Sequence, residues 1–188
     1  MNKRTKFKIL LDTLNPIPHI VAITEVKPKN ISRKLSISEF NIEGYNVYGC
    51  NLENDIGRGI LLYVNKGMSA SVIDLPIDFK EMLFCLVKTE IGDNLIVGTI
   101  YRSPNSELCN DEKLFKVINY VSDKYKLPLL ILGDFNLIIE WDNWKADKNN
   151  LTSGTTFLDT LRKIFLSQHV DRPTRQRGIR NLTFWILF

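Results

Sequence analysis

The sequence is short of the residues that hold small secreted or metal-built folds together. Its three cysteines, at positions 50, 85 and 109, show no CxxC spacing and no pairable disulfide framework. Two histidines leave little for a zinc site. The expectation is reduced, buried thiols in an intracellular compartment. No apolar run approaches the roughly 20 residues that span a bilayer. Ile9-Leu10-Leu11, behind a basic start, is too short for the core of a signal peptide. No membrane partner is expected. Internal repeats, low-complexity tracts and dividing linkers are also missing, so the 188 residues read as one domain spanning 1–188. Charge is nearly balanced: 25 Lys and Arg against 21 Asp and Glu leave +4. That suits a nucleic-acid partner without indicating one.

What is present is core material. Hydrophobic residues make up 44% of the chain and aromatics 10%, enough to exclude a disordered chain. Phe7, Leu10, Leu11 and Leu14 recur at helical spacing until Asn15-Pro16 stops them. Leu114, Phe115, Ile118, Val121 and Tyr125 form a second helical pattern, capped by Asn110-Asp111 and closed before Pro128. Phe157, Leu158, Leu161, Ile164 and Phe165 form a third, with Ser153 as its cap. Between them run apolar, β-branched stretches at 19–23, 45–48, 59–64, 82–87, 95–101 and 129–132. Several are apolar at consecutive positions, which predicts strands covered on both faces. Six or more strands among helices predict stacked sheets flanked by helices, a layered α/β or α+β domain.

Several of these strands end in polar residues. His19 to Thr24 delivers Glu25; Leu95 to Ile100 delivers Tyr101, Arg102 and Asn105; Leu129 to Gly133 delivers Asp134 and Asn136. Gly57-Arg58-Gly59 feeds the strand at 60–64. In extended backbone Asp134 and Asn136 share a face while Phe135 points into packing. A carboxylate there can orient or deprotonate a water, and a carboxamide can hold it or donate to a developing oxyanion. Glu25 can offer a hard oxygen to magnesium, and a tyrosine with an arginine suits a phosphate. The set reads as metal-assisted phosphoester hydrolysis. Singly each signal has a plainer reading. Gly-Asp-Phe-Asn is a strand-to-loop turn, Glu25 a solvated residue after a strand, and Tyr101 an aromatic at the core's edge. Their joint occurrence, in this order, carries the argument.

With those segments in place, the chain resembles the endonuclease/exonuclease/phosphatase (deoxyribonuclease I-like) superfamily, and within it the apurinic-type endonuclease domain of non-LTR retrotransposons. The matching stretches are 18–25, 57–64, 97–105, 131–136 and Pro173-Thr174-Arg175-Gln176-Arg177-Gly178. The resemblance implies a four-layer α/β-sandwich with two β-sheets between helices. It implies a magnesium- or manganese-dependent phosphodiesterase that nicks DNA. By position, Glu25 resembles the metal-binding glutamate and Tyr101 the tyrosine that contacts the phosphate. Asp134 resembles the aspartate that activates water, and Asn136 the asparagine that holds the scissile phosphate. Thr174, with Arg175, resembles the threonine near that phosphate, and the same likeness implies that Arg102 and Asn105 neighbour the site. A C-terminal reverse transcriptase once fused to the domain, and a cytoplasmic or nuclear location, are implied by the same likeness.

The departures shape the functional expectation. The family opens with a strand carrying a metal-binding asparagine, ahead of an Asn-Lys pair that Asn2-Lys3 matches here. It closes with a Leu-Asp strand and Ser-Asp-His, where this sequence reads Asn181 to Phe188. The expectation is therefore a sandwich incomplete at both termini, with nicking activity impaired. The rivals are a non-catalytic retroelement remnant that at most binds nucleic acid weakly, and a phosphatase of the same fold. Arg172, Arg175, Arg177 and Arg180 read either as backbone contacts to nucleic acid or as a solvated loop. Trp141 and Trp144 are expected to pack under the loop after Asn136 rather than stack on a base. Lys27, Lys29, Arg33 and Lys34 are expected to form a solvated run beside a DNA groove.

Overall fold

A computed structural model describes residues 3–27, 34–53 and 57–170. Asn2, Lys29, Arg33, Thr174, Arg175 and the apolar stretch Phe184 to Phe188 lie outside them.

Three helices and nine strands alternate along the described chain. They are α1 (Lys3–Thr13), β1 (Ile20–Thr24), β2 (Tyr45–Cys50), β3 (Ile60–Asn65), β4 (Ser69–Val72), β5 (Met82–Lys88), β6 (Asn94–Tyr101), α2 (Leu108–Tyr125), β7 (Leu129–Asp134), β8 (Ile139–Glu140), β9 (Lys145–Ala146) and α3 (Leu151–Lys163). One antiparallel sheet has the order β1-β3-β2. The other has the order β4-β5-β6-β7, antiparallel except for β6 and β7, which run parallel because α2 carries the chain back between them. The short β8-β9 ribbon stands apart.

Side-chain alternation along the strands sorts the core into three layers. Ile60, Leu62 and Val64 of β3 meet Leu83, Cys85 and Val87 of β5 and Val97 of β6 between the sheets. The other face of β3, Leu61 and Tyr63, packs under Leu11 of α1 with Tyr45. The outer face of the second sheet, including Phe84, Ile96, Ile100 and Ile131, is covered by Leu114, Ile118 and Val121 of α2 and Phe157, Leu158 and Leu161 of α3. Helix, sheet, sheet, helix: this is the four-layer α/β sandwich that the resemblance implies. β3 is buried along almost its whole length, as its unbroken apolar run predicts.

Sequence and structure part company in several places. β4 (Ser-Ala-Ser-Val) is short, polar and largely exposed, so nothing in its pattern announces a strand. Helix α2 starts at Leu108 behind Glu107 as N-cap, and α3 at Leu151 behind Asn150. Asp111 and Ser153 are not caps; both are buried inside the first turns and bonded to other elements. All three thiols are free as expected, yet Cys109 is exposed rather than buried. Trp141 and Trp144 pack against the helix-side core and against each other, with ring centroids 5.7 Å apart. Lys27 belongs to no solvated run: it is buried, while Lys34 is exposed.

Candidate active site at the end of the inter-sheet seam

Three chain segments leave the sandwich at one end of the seam between its sheets. β6 and β7 are parallel, so their C-terminal residues emerge side by side, with Tyr101 opposite Asp134 in register. Both follow the alternation that turns Val97 and Leu130 toward the seam. β1 belongs to the facing sheet and ends at Thr24. Glu25 then takes a left-handed backbone, φ 55°, and its carboxylate returns across the seam. The Tyr101 hydroxyl donates to Glu25 Oε1 at 2.8 Å. One hydrogen bond between residues 76 positions apart thus ties the two sheets together at the site.

Gly133 lets β7 lie this close to β6. Its φ is 143°, and a Cβ placed there would lie 1.9 Å from the carbonyl oxygen of Ile100. No other residue fits, since the obstacle is backbone that cannot rotate away. Beyond it the loop turns at once. The backbone N–H of Asn136 donates to Asp134 Oδ1 at 3.1 Å, and Asn136 adopts φ 48°, a conformation asparagine tolerates better than most residues. Phe135 is buried against Phe157, ring centroids 4.9 Å apart. The Asp-Phe-Asn segment is therefore a turn closed by an aspartate, and the same turn sets Asp134 at the seam.

Electrostatics at the site follow from these neighbours. Burial pushes the Tyr101 phenol far above its ordinary range, and the bonded carboxylate of Glu25 raises it further. Tyr101 therefore stays protonated and acts as a hydrogen-bond donor. Arg58, from the Gly-Arg-Gly turn before β3, places Nη1 3.1 Å from Glu25 Oε1. The two side chains stay 23% and 33% exposed, so the pair contributes no more than about 1 kcal/mol. The Arg58 guanidinium also donates through Nε to the Lys27 carbonyl, at 3.0 Å, while its backbone N–H reaches Glu81 Oε1, at 2.9 Å. Glu81 accepts from Ser103 Oγ as well, at 3.3 Å. Arg58 and Glu81 are therefore part of the site's border. Arg58 stood out in the sequence only as the middle of a glycine turn. Glu81 carried no sequence signal, because its partners lie 22 and 23 positions away.

Arg102 departs from the role its position suggests. It is 4% exposed, and its guanidinium points into the protein rather than toward a ligand. Nε and Nη2 form a bidentate pair with Asp111 Oδ1 and Oδ2 at 2.7 and 2.8 Å. Nη1 donates to the carbonyls of Phe135 and Asn136 at 3.2 and 3.1 Å. Ser153 Oγ, from α3, donates to Asp111 Oδ2 at 2.6 Å. Removing either charge of so buried a pair would cost about 3–5 kcal/mol. Asn136 Nδ2 donates back to the Arg102 carbonyl at 2.8 Å. Asn105 lies exposed in the turn after β6. Thr174 and Arg175 fall outside the described residues.

A divalent ion would find few protein ligands here. Among the described residues no group of three or more His, Cys, Asp or Glu side chains converges on one point. The seam does offer the Glu25 carboxylate, one-third exposed, with Oε1 engaged by Tyr101 and Arg58. That is compatible with magnesium, which often takes one or two protein carboxylates and fills the rest of its octahedron with water and phosphate oxygens. Arg58 is a competing cation on the same carboxylate.

No family model and no curated protein matches the sequence. Solved structures do match in shape. The endonuclease domain of TRAS1, a telomere-specific non-LTR retrotransposon, superposes with a TM-score of 0.63 at 16% identity, over 99% of this chain and 78% of its own. An endonuclease/exonuclease/phosphatase family protein from Bacteroides thetaiotaomicron gives 0.61 at 9% identity, over 97% and 73%. D. rerio TDP2, solved with a single-strand DNA product, gives 0.55 at 11% identity, over 98% and 74%. Identities this low establish the fold alone. The chain has the α/β-sandwich fold of the endonuclease/exonuclease/phosphatase proteins.

Proposed function

We propose that this chain is a divalent-metal-dependent phosphodiesterase that nicks DNA, of the kind carried by non-LTR retrotransposons. The observation that supports this best is the convergence of Glu25, Tyr101 and Asp134 from three strands on one end of the seam, with the Tyr101–Glu25 bond closing the set. A magnesium or manganese ion held at Glu25 would supply Lewis-acid stabilisation of the phosphate. Tyr101, kept protonated by burial and by Glu25, has one hydroxyl hydrogen, which would turn from Glu25 to a phosphate oxygen when substrate binds. Asp134, fixed by the turn that follows it, orients the attacking water and accepts its proton. Asn136 spends one Nδ2 hydrogen on Arg102 and retains the other for the scissile phosphate. The likeness to the TRAS1 domain and to DNA-bound TDP2 favours DNA as the substrate.

A second reading rests on the Glu25–Arg58 pair. A guanidinium 3.1 Å from the only carboxylate proposed for the metal favours a non-catalytic chain that at most binds nucleic acid. One assay separates the two: nicking of supercoiled plasmid with magnesium, with chelator, and by Asp134→Ala. The expected result is chelator-sensitive nicking that falls about 100- to 1,000-fold in the variant, the range seen when one catalytic group is lost. No nicking by folded wild-type protein would overturn the first reading and leave the second standing. Nicking indifferent to Asp134→Ala would move the site elsewhere.

A further inference from the structure

We propose that Asp111, acting through Arg102, is the positioning residue that sets the Asp134–Asn136 turn, with Ser153 as its brace. The inference deepens the proposed phosphodiesterase reading and rests on it for the meaning of the turn, though not for the turn's geometry.

Asn136 sits at φ 48°, two residues past the end of β7 and off the strand path, so its position needs an external hold. Arg102 supplies it. One guanidinium nitrogen grips two consecutive carbonyls, of Phe135 and Asn136. The Arg102 backbone N–H donates to the Asp134 carbonyl at 2.8 Å, and its own carbonyl takes the Asn136 amide. The residue after β6 is thus laced to every residue of the turn after β7. Arg102 has four rotatable bonds, and the fork of Asp111, both oxygens engaged, fixes the plane from which Nη1 reaches the turn carbonyls. Asp111 lies in the first turn of α2, and Ser153 in the first turn of α3. The chain of contacts therefore runs from α2 and α3, through one buried ion pair, to the proposed water-orienting aspartate. A buried ion pair is weak evidence of a stabilising role, because apolar replacements of similar volume often hold a fold as well. What such replacements cannot reproduce are the bonds to the two turn carbonyls.

That difference supplies the test. The double variant Arg102→Met/Asp111→Leu removes both charges together and keeps the volume, while Asp111→Asn keeps the shape and loses one half of the fork. Both are compared with wild type by thermal melting, by hydrogen exchange of the backbone amides at 133–138, and by plasmid nicking with kcat and KM separated. The expected result is a double variant that melts near wild type, exchanges the turn amides roughly tenfold faster, and loses about 100-fold in kcat with little change in KM, as a displaced catalytic group does. Wild-type exchange and wild-type kcat in a folded double variant would overturn the inference. Should the double variant not fold, Ser153→Ala is read in the same way: faster turn exchange supports the brace, unchanged exchange overturns it. If wild-type protein does not nick at all, the phosphodiesterase reading falls, and the positioning role is decided by exchange alone.

Discussion

Gly133 shows how much of the site one residue can determine. Its φ of 143° and the 1.9 Å that would separate a Cβ from the Ile100 carbonyl oxygen leave an alanine two outcomes. Either β7 slides off β6, or the backbone takes a conformation that costs a non-glycine residue about 1–3 kcal/mol before any clash is relieved. Both move Asp134, the next residue. Gly133→Ala is therefore expected to lower the urea midpoint by the equivalent of at least about 2 kcal/mol. Circular dichroism along a urea titration checks it, and an unchanged midpoint would show that the β6–β7 approach is looser than described. Sequence alone permits only the statement that a glycine here lets the chain turn. The need for close approach arises from Ile100 on β6, 33 positions earlier, which local pattern does not contain.

At the scale of elements, the first turns of α2 and α3 matter more than their caps. Burial by itself would raise the Asp111 carboxyl. The bonds from Arg102, Ser153 and Ser106 outweigh that and hold it below its ordinary value of 3.8. A group depressed in the folded state favours folding while it is ionised. Its contribution is complete above the ordinary value and is lost as the pH falls through the lower folded one. Stability should thus hold down to about pH 4 and decline below it, with a shallower decline in Asp111→Asn, which has no proton to take up. Superimposable acid limbs for the two proteins in urea titrations at stepped pH would remove Asp111 from the account. The same two helices mark the limit of what was legible. Six strands were readable from their apolar, β-branched runs, most plainly the central and buried β3 and β6. Exposed β4 and the two-residue β8 and β9 lack that pattern. Asp111 and Ser153 look like caps because both residue types favour helix starts, yet tertiary bonds from Arg102 and between the helices take their polar atoms instead. Glu25, Tyr101, Asp134 and Asn136 were legible as strand ends. Arg102's inward turn was not, since its partner lies on the following helix.

On the scale of the whole molecule, the source of stability and the proposed site of chemistry are separate. Three apolar layers, one between the sheets and one under each helical face, supply the burial that drives folding. The proposed metal donor is a single carboxylate at the rim of the seam, already neutralised in part by Arg58. No cluster of acidic side chains among the described residues needs a cation to relieve mutual repulsion. Metal removal should therefore abolish nicking and leave the fold intact, unlike structural metal sites whose binding energy is folding energy. Saturating magnesium stabilises only by mass action, about 1.4 kcal/mol at ten times its dissociation constant, which for a domain of this size is a shift of a few degrees at most. The expected melting temperatures with chelator and with magnesium differ by no more than that, while nicking with chelator falls to background. A loss of about ten degrees or more on chelation would mean that an ion braces the sandwich itself, and the division between apolar layers and seam chemistry would have to be abandoned.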